Sequence, residues 1–196
     1  MRKICVLMAL SVAALVPALA GGQKVSMKVD NEFVQREFGK EFTLIPEFGV
    51  MTGDLDGDGA EDAVIAARCR NPLLDEAEHN YTVLDPYMTF FGYGDPRVTV
   101  RFNEGDDPVR RDLVVLIIHG TGPDGWRAAV PKAKYVIINL PYRELSVRKF
   151  NVGKNPKKLK QQMAIYVEES NESRESSALY FDGKTYKYSP MGASMD

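Results

Sequence analysis

The sequence has few of the residues that cross-link small proteins. Its 196 residues include two cysteines, Cys5 and Cys69, and two histidines, His79 and His119. Only Cys69 lies beyond residue 20, so an intrachain disulfide scaffold is excluded for that part of the chain. Two separated histidines and one cysteine also lack the clustering of a zinc site. We therefore expect this chain to be stabilised by its apolar core or by a bound metal ion.

The chain also lacks a strong charge imbalance and the motifs of several enzyme classes. Its net charge is −2, and taking away the two positive charges of residues 1–20 leaves −4 for the rest. That balance argues against a broad nucleic-acid-binding face. No G-x-S-x-G pentapeptide marks the nucleophile elbow of an α/β-hydrolase. The glycine pairs at 92–94 and 120–122 lack the further Gly, Lys and Ser or Thr of a phosphate-binding P-loop.

The first twenty residues have the features of a secretory signal peptide. A positively charged start at 2–3 precedes an apolar stretch over 4–16 and the small-x-small sequence Ala-Leu-Ala at 18–20. A membrane anchor is the alternative, but the apolar stretch is shorter than the about 20 residues that a bilayer requires. We expect cleavage after residue 20, a single mature domain over 21–196, a secreted or periplasmic location, and no membrane insertion after cleavage.

Apolar patterns further along the chain predict an α+β domain. A helix is expected over 30–39, with Asp30 as its N-cap and Gly39 at its end. Runs of apolar residues predict buried strands at 62–69, 113–118 and 135–140. With the shorter alternating segments, this indicates one domain with a mostly antiparallel sheet of about five to seven strands and a short N-terminal helix.

Two C-terminal segments are distinctive. Residues 148–160 hold six Lys and Arg residues and no acid, which indicates a solvated loop or, alternatively, a surface for an anionic partner. Residues 178–188 predict a hairpin, with Asp182 and Gly183 in a two-residue type I′ turn. The chain after residue 189 is expected to be a frayed tail.

Cys69 stands at the end of an apolar run, between Arg68 and Arg70. Two adjacent cations could lower the pKa of a thiol and make it reactive. The alternative is a small buried side chain at the end of a strand. We favour the buried, structural role, because no catalytic partner is visible nearby in the sequence.

An acid-rich loop carries the clearest chemical signal. Asp54, Asp56, Asp58 and Asp62 occupy positions 1, 3, 5 and 9, and the carbonyl of Ala60 stands at position 7. Calcium takes six to eight oxygen ligands, and alternate positions in a tight loop turn their carboxylates towards one point. An acidic turn without an ion is the alternative, but clustered carboxylates repel one another unless a cation is present. We predict a Ca²⁺ site formed by these five residues.

The loop resembles the FG-GAP/VCBS-type calcium loops of integrin-like propellers, which have the form D-x-D-x-D-G-x-x-D followed by an apolar strand. An EF-hand is a poorer comparison, because Ile65 stands where its bidentate Glu would be. The chain is more similar still to small secreted bacterial proteins that carry one such loop, since residues 176–184 are similar to their closing S-S-x-L-Y-x-W-D-G-K hairpin. This resemblance implies secretion and calcium binding, and no particular reaction.

Two functions remain open from the sequence. The first is a non-enzymatic module, without catalytic residues, that binds a protein or a cell-envelope glycan through the aromatic-rich segment 81–93. The second is a secreted hydrolase that uses His119. The apolar run 113–118 followed by His119 and Gly120 resembles the segment beside the oxyanion hole of α/β-hydrolases, although the serine partner is not identifiable.

Overall fold

Ten strands and three α-helices form the part of the chain that the computed structural model describes, residues 27–95, 97, 111–153, 160–169 and 175–193. The strands are β1 (Phe42–Leu44), β2 (Val50–Gly53), β3 (Asp62–Cys69), β4 (Thr82–Leu84), β5 (Leu113–His119), β6 (Ala133–Ile137), β7 (Glu144–Val152), β8 (Lys160–Glu168), β9 (Glu175–Phe181) and β10 (Tyr186–Ala193). The helices are α1 (Asn31–Phe38), α2 (Glu76–His79) and α3 (Pro86–Phe90), with 3-10 turns at Pro46–Phe48 and Gly122–Asp124. The predicted signal peptide lies outside the described residues.

Helix α1 begins and ends where the sequence predicts. A side-chain oxygen of Asp30 accepts the N–H of Phe33 at 3.0 Å, which satisfies one of the free amides of the first turn. Gly39 ends the helix with a φ of 113°, a value that side chains other than glycine rarely allow. The helix buries Phe33, Val34 and Phe38 against the first sheet.

The first sheet has the order β1-β3-β5-β6-β4, with β2 also paired to β3. Strands β1 and β2 pair with successive parts of the same edge of β3, and the 3-10 turn at Pro46–Phe48 separates them. All pairs are antiparallel except β4 with β6. Strand β6 ends at Ile137, earlier than the predicted residue 140, since Asn139 has a φ of 57° that interrupts the extended backbone.

The second sheet is an antiparallel meander of order β10-β9-β8-β7. It corrects the interpretation of the basic segment as a loop, because β7 runs to Val152 and pairs with β8 along its whole length. Leu145 and Val147 pack on the core, while Arg148 and Lys149, which follow them on the strand, are exposed. Residues 154–159 of that segment lie outside the described part of the chain.

The predicted two-residue turn and frayed tail are also wrong in detail. Phe181 pairs with Tyr186, so residues 182–185 form a four-residue connection. Asp182 Oδ1 accepts the N–H groups of Lys184 at 2.9 Å and Thr185 at 3.0 Å, and this local bonding competes with the type I′ geometry. Strand β10 continues through Ala193, where it still pairs with the start of β9.

The core has two layers, one on each face of the first sheet. Helix α1 and the aromatic residues Phe42 and Tyr81 cover one face, and the second sheet packs on the other. Strand β5 is buried along all seven residues, as a strand with both faces covered should be. These observations confirm the predicted single, mostly antiparallel α+β domain. The described residues form ten strands in two sheets, however, where one sheet of about five to seven strands was expected. Within the described residues, no helix is long and apolar enough to span a membrane.

Candidate metal centre

The acid-rich loop joins two neighbouring antiparallel strands, because Gly53 at the end of β2 pairs with Asp62 at the start of β3. Within this connection, Asp54, Asp56 and Asp58 each offer one carboxylate oxygen, and these oxygens lie within 4.8 Å of one another. The alternate spacing therefore brings three hard oxygen donors to one point. This arrangement confirms a cluster close enough to hold a metal ion, without identifying the ion.

Backbone amides of the loop orient these carboxylates. Asp54 accepts the N–H groups of Gly57 at 2.8 Å, Asp58 at 3.1 Å and Gly59 at 3.0 Å. The carboxylate of Asp58 in turn accepts the N–H of Ala60 at 2.8 Å. Gly57 and Gly59 have φ values of 79° and 89°, and a Cβ at either position would meet no atom within 4 Å. The glycines are needed for the backbone turn and not for space.

Lys132, in the connection before β6, reaches into the cluster. Its ammonium lies 2.7 Å from Asp56 Oδ2 and 2.5 Å from Asp58 Oδ2. The hydrogen bond from Lys132 is the main cause that lowers the pKa of Asp58, and the two carboxylates raise the pKa of Lys132. The lysine is held in place by its backbone N–H, which donates to the carbonyl of His119 at 2.9 Å. One positive charge of the chain itself therefore already lies beside two of the three aspartates.

Asp62 has a different environment from the other three aspartates. It is fully buried, and its two oxygens accept the N–H groups of Leu55 at 2.7 Å and Gly120 at 2.8 Å. Burial raises the pKa of Asp62 to about 6, although both amides oppose that shift. The carboxylate thus ties the loop to the end of β5. The roles of Asp62 and of the Ala60 carbonyl as metal ligands remain predictions.

A buried polar chain runs from the loop into the second sheet. His119 Nδ1 lies 3.3 Å from Asp56 Oδ2, and His119 Nε2 lies 2.7 Å from the hydroxyl of Tyr186 on β10. The His119 side chain is 1% exposed and is surrounded by the rings of Tyr135, Phe181 and Tyr186. Burial lowers the pKa of His119, which favours the neutral ring. Asp56 therefore connects a surface loop to the core between the sheets.

The glycine-rich connection after β5 packs against the same loop. A Cβ on Gly120 or Gly125 would collide with the backbone carbonyl of Glu61, and Gly125 also has a φ of 57°. The N–H of Trp126 donates to that carbonyl at 2.7 Å. This close backbone approach explains the glycines, which the sequence places in a loop without a phosphate-binding role.

Sequence reasoning missed three contributors to the site, Lys132, Gly120 and Tyr186. For Gly120, the glycine-rich segment after the buried strand β5 was an available signal, because glycine within or beside a strand often marks a position where another backbone comes close. Nothing in the local sequence distinguishes Lys132 from the other lysines. The other histidine, His79, lies away from the loop in α2, where its Nδ1 is 3.1 Å from the carbonyl of Arg36.

The aromatic-rich segment 81–93 divides into a buried and an exposed part. Tyr81 is buried and donates to the carbonyl of Pro72 at 2.8 Å. Phe90, Phe91 and Tyr93 are 51%, 53% and 74% exposed. These three residues form what we name the aromatic surface. Tyr87 and the buried Tyr188 support it from beneath, since Tyr87 meets Phe91 edge-on and Tyr188 meets Phe90 edge-on.

Comparisons with models of protein families, with curated proteins and with solved structures find no match for this chain. The resemblance to FG-GAP/VCBS-type loops therefore rests on the residues of the loop and of the closing hairpin. The coarser conclusion that three aspartates converge stands on the geometry alone.

Proposed function

We propose that this protein is a secreted or periplasmic, non-enzymatic binding module whose 54–62 loop holds a structural Ca²⁺ of the FG-GAP/VCBS type. The observation that carries the calcium proposal is the convergence of Asp54, Asp56 and Asp58 within 4.8 Å. Carboxylate oxygens are the donors that Ca²⁺ prefers, and six to eight oxygens are required. Asp62, the Ala60 carbonyl and water would supply the remaining ligands.

Binding of Ca²⁺ would require Lys132 to leave the two aspartates that it contacts. The lysine side chain is 47% exposed, so its ammonium can move into water without a burial penalty. A divalent ion then takes the place of the singly charged Lys132 ammonium among three carboxylates. The attraction between the cation and the carboxylates is therefore stronger. The site is therefore suited to a cation exchange between the lysine and the ion.

The role proposed for the ion is to stabilise the junction of the two sheets. Leu55, the second residue of the loop, is buried in the core between them, and Asp56 contacts His119, which bonds to Tyr186 on β10. An ion that orders this loop would stabilise all of these contacts. A ligand that binds only the folded state stabilises it by about 2.7 kcal/mol at a hundredfold excess over Kd.

Thermal unfolding in Ca²⁺ and in EDTA tests this role. We expect Ca²⁺ to raise the melting temperature, and Mg²⁺ to substitute poorly because it requires stricter octahedral geometry. Asp58→Asn should remove most of the Ca²⁺-dependent shift. Asp124→Asn, which changes an exposed aspartate outside the loop, is the matched control and should keep the shift. Equal melting temperatures of the wild-type protein in Ca²⁺ and EDTA would reject a structural ion.

The aromatic surface supports the second half of the proposal. Three large rings, Phe90, Phe91 and Tyr93, are at least half exposed on one short segment. Exposed apolar patches on soluble domains mark interaction sites, and aromatic rings are enriched there. A protein or an envelope glycan is the partner class that we propose. The hydrolase alternative has less support, because a general base must reach its substrate and His119 is enclosed by aromatic rings.

Retention of envelope components tests the binding surface. Immobilised wild-type protein, incubated with envelope extract in Ca²⁺, should retain a specific protein or glycan. The double variant Phe90→Ser/Phe91→Ser should lose it, whereas Val130→Ser, a change at another exposed apolar residue, should not. Equal retention by all three proteins would contradict the assignment of the aromatic surface. Ester or glycoside hydrolysis lost in His119→Ala would instead support the hydrolase.

A further inference from the structure

A cleft of about 700 Å³ opens at the rim of the core between the two sheets. It lies at the opposite end of β3 from the acid-rich loop, since Arg68 lines the cleft and Asp62 begins the strand. Six residues of extended strand separate the two positions by roughly 20 Å. The cleft is therefore a separate feature from the candidate metal centre, and an inference drawn from it does not depend on calcium.

The inner wall of the cleft is apolar and partly aromatic. Four residues of the core between the sheets line this wall: Ile45, Phe48, Leu113 and Tyr142. The rings of Phe48 and Tyr142 meet edge-on, with centroids 5.5 Å apart. The Tyr142 hydroxyl donates to the carbonyl of Val114 at 3.1 Å, so the polar atom of this side chain is already bonded within the protein. Such a wall suits the apolar body of a ligand.

The lining also carries more positive than negative charge. Arg68 and Arg143 line the cleft, and Glu47 is the one acid among the described residues that do so. The guanidinium of Arg68 donates to the carbonyl of Arg111, which orients it. The backbone N–H of Arg143 donates to the carbonyl of Glu168 at 2.7 Å, so this arginine projects from a fixed position. A net positive cleft in a chain of net charge −2 favours an anionic ligand.

We propose that this cleft binds an amphipathic carboxylate, meaning a small molecule with a carboxylate head and an apolar body. Arg143, with Arg68, takes the carboxylate, because a guanidinium matches a carboxylate with two parallel hydrogen bonds. The apolar body lies over Ile45, Phe48 and Leu113. The volume falls within the roughly 300–1,000 Å³ range of small-molecule sites.

An NMR titration tests the proposal with two probes that differ in the charge of the head group. Dodecanoate and dodecylammonium are added separately, below their micellar concentrations, to isotope-labelled protein. We expect dodecanoate to shift the backbone amide signals of the cleft residues Leu44, Ile45, Glu47, Phe48 and Arg143, and dodecylammonium to bind more weakly. Arg143→Met should weaken dodecanoate binding roughly tenfold, as the loss of one charge-assisted contact requires.

Two further variants complete the test. Glu47→Gln removes the opposing charge, and we expect it to strengthen dodecanoate binding several-fold. Arg148→Met changes an exposed arginine on β7 outside the cleft lining and should leave the affinity unchanged. The proposal is overturned if dodecanoate does not bind, if both probes bind equally, if the shifts lie outside the cleft, or if the affinity is the same in wild type and Arg143→Met.

Discussion

Replacing Lys132 by methionine should affect the protein in opposite directions with and without calcium. In the absence of the ion, the lysine ammonium is the charge that offsets Asp56 and Asp58, at 2.7 and 2.5 Å. Its removal leaves three clustered carboxylates without that cation. We therefore expect Lys132→Met to lower the melting temperature in EDTA. In Ca²⁺, the same substitution removes the competitor for the ligand oxygens and should increase the affinity for the ion.

The size of this effect follows from the exposure of both partners in each ion pair. The Lys132–Asp58 pair is partly exposed, with side-chain exposures of 47% and 30%, and is screened by water. The Asp56 side chain is only 3% exposed, so the Lys132–Asp56 pair is screened less. Exposed ion pairs contribute about 0.2–1 kcal/mol each, so displacing these two pairs costs at least about 0.4 kcal/mol. Lys132→Met should therefore bind Ca²⁺ at least about 2-fold more tightly than the wild-type protein.

Isothermal titration calorimetry with Ca²⁺ measures both affinities directly. Lys187→Met is the matched control, because Lys187 is similarly exposed and pairs with Asp182 at 3.7 Å, outside the acid-rich loop. It should leave the Ca²⁺ affinity unchanged. Lys132 does not compete with the ion if Lys132→Met binds Ca²⁺ no more tightly than the wild-type protein. Ca²⁺ binding by neither protein would contradict the metal site itself and would assign Lys132 as its permanent cation.

Three further outcomes concern hydrogen bonding and packing inside the protein. Asp62→Ala should destabilise the protein by about 2–4 kcal/mol in denaturant unfolding even in EDTA, because it leaves two buried N–H groups without their acceptor. The Cys69 thiol, whose pKa burial raises to about 12, should react with a thiol reagent only as fast as the protein unfolds; rapid labelling of the native protein would contradict its burial. In the same unfolding assay, Gly120→Ala should lower the free energy of unfolding more than Gly59→Ala does. An alanine at position 59 strains a backbone with a φ of 89° but its Cβ meets no atom, whereas a Cβ at Gly120 meets three backbone atoms within 2.5 Å. A larger loss for Gly59→Ala would refute this comparison.

Local signals in the sequence account for the elements that were predicted correctly. Helix α1 follows from Asp30, Gly39 and the spacing of its apolar residues, all within ten positions. Strands β3 and β5 follow from continuous apolar runs, because strands buried on both faces have no polar side. Strand β7 was missed because its exposed cations Arg148 and Lys149 are typical of a solvated loop, and only the pairing of the strand with β8 distinguishes the two structures.

In the candidate site, too, contacts within one loop could be predicted from the sequence, whereas contacts between distant segments could not. The convergence of Asp54, Asp56 and Asp58 was predictable, because alternate positions of one tight loop determine it. Lys132 is 76 positions from Asp56, and its contact depends on how β6 packs beside β5. The contact of Tyr186 with His119 spans 67 positions and depends on how the two sheets pack. No periodicity or spacing within one segment encodes such contacts.

The central claim is that the 54–62 loop binds one calcium ion on which the fold depends. The most direct measurement is a calorimetric titration of the metal-free wild-type protein with Ca²⁺, accompanied by the same titration of Asp58→Asn. We expect one ion to bind per chain, and we expect the binding heat to be lost or strongly reduced in the variant, which lacks one of the three converging carboxylates. Absence of binding to well-folded wild-type protein at millimolar Ca²⁺, or equal binding by the variant, would contradict this claim.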